Sequence, residues 1–290
     1  MTKAKPPVDL TMQALDSDYV IRDIVWSRRH AHYNVAMLNT LARSASLLNR
    51  LEYQMLVYAI SYLEKSDTKL PLLRFRIQDI IKDLKLGSTS HGRVYKTFRS
   101  LCGKIVDLRG EGFEVGIPWG EFVVKEASYI RFAFNKVLLS FLLPDENRGL
   151  FTKANRFYLL QFKNVYSLRL YLYLKSWRAW KREYNQMQRR YEEIGDWRKL
   201  FAVSDFFDEK EKYIRYQDFK TRVLDPAISE INELSDYYVC YNGRKGIDKR
   251  ECSGIEFFYY EKKPKKIEHL GGVIKYDDLE EFIVYAQREQ

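Results

Sequence analysis

The sequence predicts an α+β protein built from two tandem units of one plan, on three observations. Helical stripes and short strand-like runs occur twice in the same order. Each half holds a helix with one apolar edge and one polar face, followed at once by a hairpin. The net charge of +10 comes from 49 Lys+Arg against 39 Asp+Glu. It is shared between the first 150 residues (22 against 16) and the remainder (27 against 23). A basic excess spread over both halves is expected if both face a polyanion. A hydrophobic content of 46% and an aromatic content of 15% indicate a folded chain. Its 290 residues suffice for two cores.

The first 33 residues read as a flexible mixed-charge arm ending in Arg28-Arg29-His30-Ala31-His32. Asn49 and Glu52 then have the spacing of a capping box, and Leu51, Met55, Tyr58, Ala59 and Tyr62 form the stripe of a helix running to about Lys65. Leu70 to Phe75 is extended. Ile77 to Leu84 is a short helix with Ile77, Ile80, Ile81 and Leu84 inward. Gly87 to Ser90 supplies a turn and a new N-cap. The helix from His91 to about Gly103 turns Val94, Phe98 and Leu101 inward and Arg93, Lys96, Arg99 and Ser100 outward. Lys104 to Leu108, Phe113 to Ile117, Glu121 to Lys125 and Tyr129 to Phe134 are strand-like, with glycines 110 and 112 between the first two. A short apolar run, Val137 to Leu143, precedes the break from Pro144 to Gly149, the expected domain boundary.

The second half repeats the order. Asn164 to about Glu183 is a long helix with Tyr166, Leu170, Tyr173, Leu174 and Trp177 on one face and Leu168, Leu172 and Trp180 on others, so it is buried on several sides. Asp196 to about Ala202 is a short helix, and Asp205 to Glu211 is an acidic connector. In the next helix Phe219, Val223, Ala227, Ile231 and Leu234 form the apolar edge. Gln217, Thr221, Arg222, Ser229 and Asn232 form the polar face. A hairpin of Tyr237–Asn242 and Ile255–Tyr260 follows. Beyond it lie a basic linker at residues 263–266 and an amphipathic helix, Tyr276 to about Arg288.

Helix, short turn, helix and hairpin is how a winged helix meets DNA. The fold class is therefore α+β, two tandem winged-helix (helix-turn-helix plus β-hairpin wing) domains related by pseudo-symmetry. The expected divisions are an arm at 1–33, a first winged helix at 34–148, a second at 149–262, and a linker and helix at 263–290. Gln217, Thr221 and Arg222 have arms suited to base edges: glutamine to adenine, the threonine methyl to thymine, arginine to guanine. Lys220 and Arg215 lie closer to backbone phosphates. Arg93, Lys96, Arg99 and Ser100 form the corresponding face of the first unit. Lys125, Arg244 and Lys245 are the wing candidates.

Other chemistry finds less support. Cys102, Cys240 and Cys252 include no CxxC pair, which fits a reducing compartment and provides no disulfide framework or zinc site. No secretory signal or membrane span is visible, so a cytoplasmic protein with no membrane partner and no cofactor is expected. No Gly-rich loop precedes a Lys-Ser/Thr pair, which argues against ATP hydrolysis. Glu192-Glu193, Asp277-Asp278 and Glu280-Glu281 read as solvated faces. A metal-dependent rolling-circle nickase would place two histidines such as His30 and His32 on a central strand, and no strand signal surrounds them.

Several stretches also resemble a known family. Asn164-Val165-Tyr166-Ser167-Leu168-Arg169-Leu170-Tyr171 followed by Trp177, the run Asp218-Phe219-Lys220 through Val223, Pro226-Ala227 and Glu230-Ile231-Asn232, and Ser46 to Ile60 resemble the theta-type plasmid replication initiators, the RepA/RepE-like family. The resemblance spans roughly residues 34 to 262 and implies two winged helices that bind repeated double-stranded origin DNA (iterons) as a monomer. It further implies a dimer that represses its own gene through inverted repeats, and contacts with the host initiator and the replicative helicase. A dedicated tandem winged-helix repressor is the other DNA-binding reading. The segment after Pro264 departs from the family pattern.

Overall fold

A computed structural model describes residues 19–24, 34–44, 47–64, 66–110, 113–143, 151–177, 186–203, 213, 215–245 and 252–262. It divides into two compact units, 1–160 and 161–290. The break at 144–149 lies outside the described residues, and the division falls later because the chain after the break still belongs to the first unit. There Phe151–Asn155 (β8) pairs antiparallel with Asn34–Leu38 (β2), and Thr152 donates to Asn39 at 2.7 Å.

In the first unit, Asn39–Arg43 (α1) precedes Arg50–Ile60 (α2). Asn49 caps α2 in the predicted box: its side chain accepts from the Glu52 N–H, and Glu52 accepts from the Asn49 N–H at 2.7 Å. Leu72–Arg76 (β3) runs without a loop into Ile77–Asp83 (α3), and His91–Gly103 (α4) follows with the predicted bounds. Ile105–Gly110 (β4) and Phe113–Pro118 (β5) form a separate hairpin. Gly120–Lys125 (β6) and Tyr129–Phe134 (β7) join the main sheet. Lys136–Leu138 is a 3-10 turn leading into Leu139–Leu142 (α5), and Arg156–Gln161 (α6) follows β8. The core is a run of rings in which Phe75 stacks on Phe98 at 5.8 Å, Phe98 meets Phe132 at 5.0 Å and Phe132 meets Phe134 at 5.1 Å.

The flexible-arm reading of residues 1–33 is corrected at one place. Ile21–Ile24 (β1) pairs parallel with Leu72–Phe75, which gives the sheet order β1-β3-β7-β6. Arg22 fixes this strand by donating to Asp67 at 3.0 Å and to the Tyr62 carbonyl at 2.7 Å. Four residues carry too little periodicity to be read locally, because the strand exists through its long-range partner. The rest of the arm, with His30 and His32, lies outside the described residues, as do the linker and helix after Lys262.

In the second unit Asn164 caps Val165–Ser176 (α7), accepting from the Tyr166 N–H at 2.9 Å. Ser167 through Ser176 are all buried, as the several apolar faces predicted. The described helix has its C-cap at Trp177, and the rest of the span expected to reach Glu183 lies outside the described residues. Gln188–Glu193 (β9) is a strand the sequence did not betray, since Gln-Arg-Arg-Tyr-Glu-Glu has almost no apolar face. It runs directly into Ile194–Leu200 (α8), and it makes Glu192 more than a solvated acid: Glu192 accepts from the Tyr173 hydroxyl at 2.7 Å. Tyr237–Lys245 (β10) and Cys252–Glu261 (β11) complete the sheet in the order β10-β11-β9. Trp197 is its hub, with its ring 4.6 Å from Phe257 and 5.0 Å from Tyr173 and its indole N–H donating to the Ile255 carbonyl at 3.0 Å.

The two units share a topology. In each, the strand that feeds the short helix pairs antiparallel with the second strand of a later hairpin, β3 with β7 of the β6–β7 pair and β9 with β11 of the β10–β11 pair. Glu52 is a buried carboxylate of the first unit: besides closing its capping box it accepts from the Ser100 hydroxyl of α4 at 2.6 Å. Glu52→Ala removes the box and leaves that hydroxyl without its carboxylate, which is expected to cost about 1–3 kcal/mol in urea unfolding. A midpoint unchanged from the parent would show that the carboxylate does not join the two helices.

Candidate nucleic-acid interface

The strongest candidate surface is the helix between α8 and the last hairpin. It begins as Tyr216–Phe219 (α9), widens into a π-helical turn at Lys220–Leu224, and continues as Asp225–Leu234 (α10). The Asp225 N–H reaches the Lys220 carbonyl, five residues back, which defines the wide turn. Its apolar edge is seated: Phe219, Val223, Ala227 and Ile231 are all fully buried, and Phe219 meets Phe201 at 5.8 Å.

Of the predicted contact residues on this helix, Arg215, Gln217, Thr221 and Arg222 are exposed and Lys220 is half-buried. Arg222 has 64% of its side chain exposed, with Asp218 one turn back at 3.9 Å and the Tyr213 ring 5.6 Å from its guanidinium. Of these neighbours, Asp218 is legible in the sequence from its four-residue spacing to Arg222, whereas Tyr213 lies ahead of the helix and follows from no periodicity. An exposed pair of this kind is weak and yields readily to a competing anion. The Thr221 hydroxyl donates to the Gln217 carbonyl at 2.9 Å, so its methyl is the group left for outside contact. Asn232, placed on the outer face by the sequence, instead clamps the wing: it accepts from the Val239 N–H at 2.7 Å and donates to the Val239 carbonyl at 2.8 Å.

The wing docks on this helix at two further points. The Tyr241 hydroxyl donates to Asp225 at 2.6 Å, at the junction of π turn and α-helix. A Cβ on Gly243 would fall 2.6 Å from the Tyr216 hydroxyl, so only glycine admits that approach. Arg244 is exposed but paired with Glu256 on the facing strand, its Nε 3.0 Å away, whereas Lys245 is exposed. The wing tip beyond Lys245 lies outside the described residues.

In the first unit Arg93, Lys96 and Arg99 are exposed on α4. Ser100 is not part of that face. It turns to Glu52, because one buried carboxylate oxygen would otherwise lack a donor. Lys125 is exposed at the end of β6, with its ammonium 6.0 Å from the Tyr95 ring.

The C-terminal end of the helix is held by buried charge. The Lys262 ammonium donates to the Asn232 carbonyl at 2.7 Å and the Ser235 carbonyl at 3.0 Å, satisfying acceptors that a helix end leaves open. Lys175, also buried, pairs with Asp236 at 2.6 Å and Glu261 at 3.3 Å, and the Tyr171 hydroxyl donates to Asp236 at 2.7 Å. Helix end, last strand and α7 are thereby locked together.

The fold matches known proteins. The family description "Initiator Replication protein, WH1" fits residues 34–175, and "Initiator Rep protein, WH2" fits residues 193–259. The chain belongs to this family of plasmid replication initiators. The two matches name the same two winged helices that the strand order displays, although the first runs on through α7, which packs within the second unit. A solved structure titled "Crystal structure of Pi initiator protein in complex with iteron DNA" resembles this initiator with a TM-score of 0.65. The two are 18% identical over 81% of this chain and 99% of that one. No curated protein matches the chain. Among the described residues, no helix is long and apolar enough to cross a membrane.

Burial lowers the Lys262 pKa from 10.5 to about 8, with Asp236 opposing the shift. Between those values the folded initiator binds fewer protons than the unfolded chain, so this group makes stability rise with pH across the window. Lys262→Met should abolish that rise, seen as a flatter dependence of urea stability between about pH 8 and pH 10 than in the parent. Parallel curves would place the Lys262 ammonium in solvent.

Proposed function

We propose that this initiator binds the repeated double-stranded sequences of its plasmid origin as a monomer, reading base edges in the major groove with Gln217, Thr221 and Arg222. Arg215 and Lys220 hold phosphates beside that helix. Arg93, Lys96 and Arg99 make a second, less specific contact from the first unit, and Lys125 and Lys245 touch the backbone from the wings. The observation that carries this reading is the helix Tyr216–Leu234: its apolar edge is fully buried, its opposite face offers exposed arms of base-reading type, and a wing is pinned to both ends of its polar stretch. The structural neighbour solved with iteron DNA supports the same mode. The chain acts by binding rather than by catalysis. As a dimer it represses its own gene through an inverted repeat, and at the origin it meets the host initiator and the replicative helicase.

Gel shifts on the origin repeats test this. Arg222→Ala should lose about ten- to hundredfold in affinity for the repeats, the equivalent of about 1–3 kcal/mol for one base-reading arginine. Lys220→Ala should weaken all sequences alike and lessen the salt dependence. Equal affinity of the parent for repeats and random DNA at physiological salt would refute the proposal.

A further inference from the structure

The apolar edge of the proposed contact helix steps by four residues, with Leu224 and Ile228 buried beside it. Phe219, Val223, Ala227 and Ile231 are each four residues apart, and all four are fully buried. On an ideal α-helix each four-residue step overshoots a turn by about 40°, so Phe219 and Ile231 would diverge by about 120°. The π turn at Lys220–Leu224 removes that divergence, because one extra residue in a turn takes up about 100° of rotation. Residues before the turn are thereby re-phased against those after it.

The chain supplies a cause for the turn at one position. Pro226 lies in the first turn of α10, where a missing N–H is tolerated. In an uninterrupted α-helix it would stand four residues after Arg222, with no N–H to give the Arg222 carbonyl and a ring that collides with it. Widening the turn relieves the collision. The junction is then secured from outside by the Tyr241 hydroxyl on Asp225.

We propose that Pro226 is a positioning residue for sequence recognition: by imposing the π turn it sets the angle at which Gln217, Thr221 and Arg222 are presented, while the Asp225–Leu234 segment stays fixed to the core. Pro226 is itself exposed. It acts through the helix and touches no base. The proposal rests on the reading of this helix as the DNA-contacting element.

The test compares the full-length parent with Pro226→Ala and Pro226→Gln, two exposed substitutions that share only the restored N–H and remove no packing. Crystal structures of the variants are expected to show the Asp225 N–H moved from the Lys220 carbonyl to that of Thr221. Competition gel shifts are expected to show at least a tenfold fall in the ratio of affinity for origin repeats to affinity for random DNA, with affinity for random DNA changed by less than threefold and a cooperative melt retained. An Asp225 N–H still bonded to Lys220 in both variants would overturn the inference, as would an unchanged ratio once the turn has reverted. A parent that does not prefer the repeats would refute the proposed function instead, and the crystal structures would still decide whether Pro226 holds the turn.

Discussion

One turn of the polar-faced helix, Lys220–Leu224, is wider than an α-helical turn, with the Asp225 N–H bonded five residues back, and much of the second unit is arranged around it. Phe219 packs on the aromatic cluster of Phe201 and Trp197 before the turn, and Ile231 is buried after it. The π turn sets the phase between the two. Everything docked on the helix respects the same geometry: Tyr216 against Gly243 before the turn, Asp225 under Tyr241 at its end, and Asn232 and Lys262 fastening the C-terminus. The exposed face is what remains after these contacts are met.

Both units keep the polar-faced helix in place by joining it to its neighbours with buried polar groups. In the first, Glu52 serves its own helix cap and the Ser100 hydroxyl of α4. In the second, Lys262 and Lys175 lie in the interior with acids or carbonyls as partners. Removing one member of such a set costs far more than the whole set contributes, because the other is left buried and unmatched. Such sets enforce one arrangement of helix and wing, and a surface meant to meet a fixed DNA lattice needs that.

Much of the fold was legible locally. The Asn49 box, the bounds of α4, the three strand runs from Phe113 to Phe134 and the buried stripes of α7 all follow from short-range pattern. What escaped was set by distant partners. Ile21–Ile24 and Phe151–Asn155 are strands only because β3 and β2 are there to receive them. Gln188–Glu193 looks like a charged loop until β11 pairs with it. The candidate site shows the same limit. Arg222 and Gln217 stand exposed as their spacing indicates, yet Ser100 and Asn232, on faces that look outward by periodicity, turn to partners elsewhere in their units. Pro226, inside the predicted helical stripe, was present in the sequence, and the irregular turn falls just ahead of it.

The central claim is that Arg222 reads a guanine in the major groove of each origin repeat. Methylation interference on a single repeat tests it most directly, because a methyl on guanine N7 blocks that contact and little else. The account predicts one guanine whose methylation abolishes binding by the parent and no longer matters to Arg222→Ala. The same interference pattern for both proteins would contradict it.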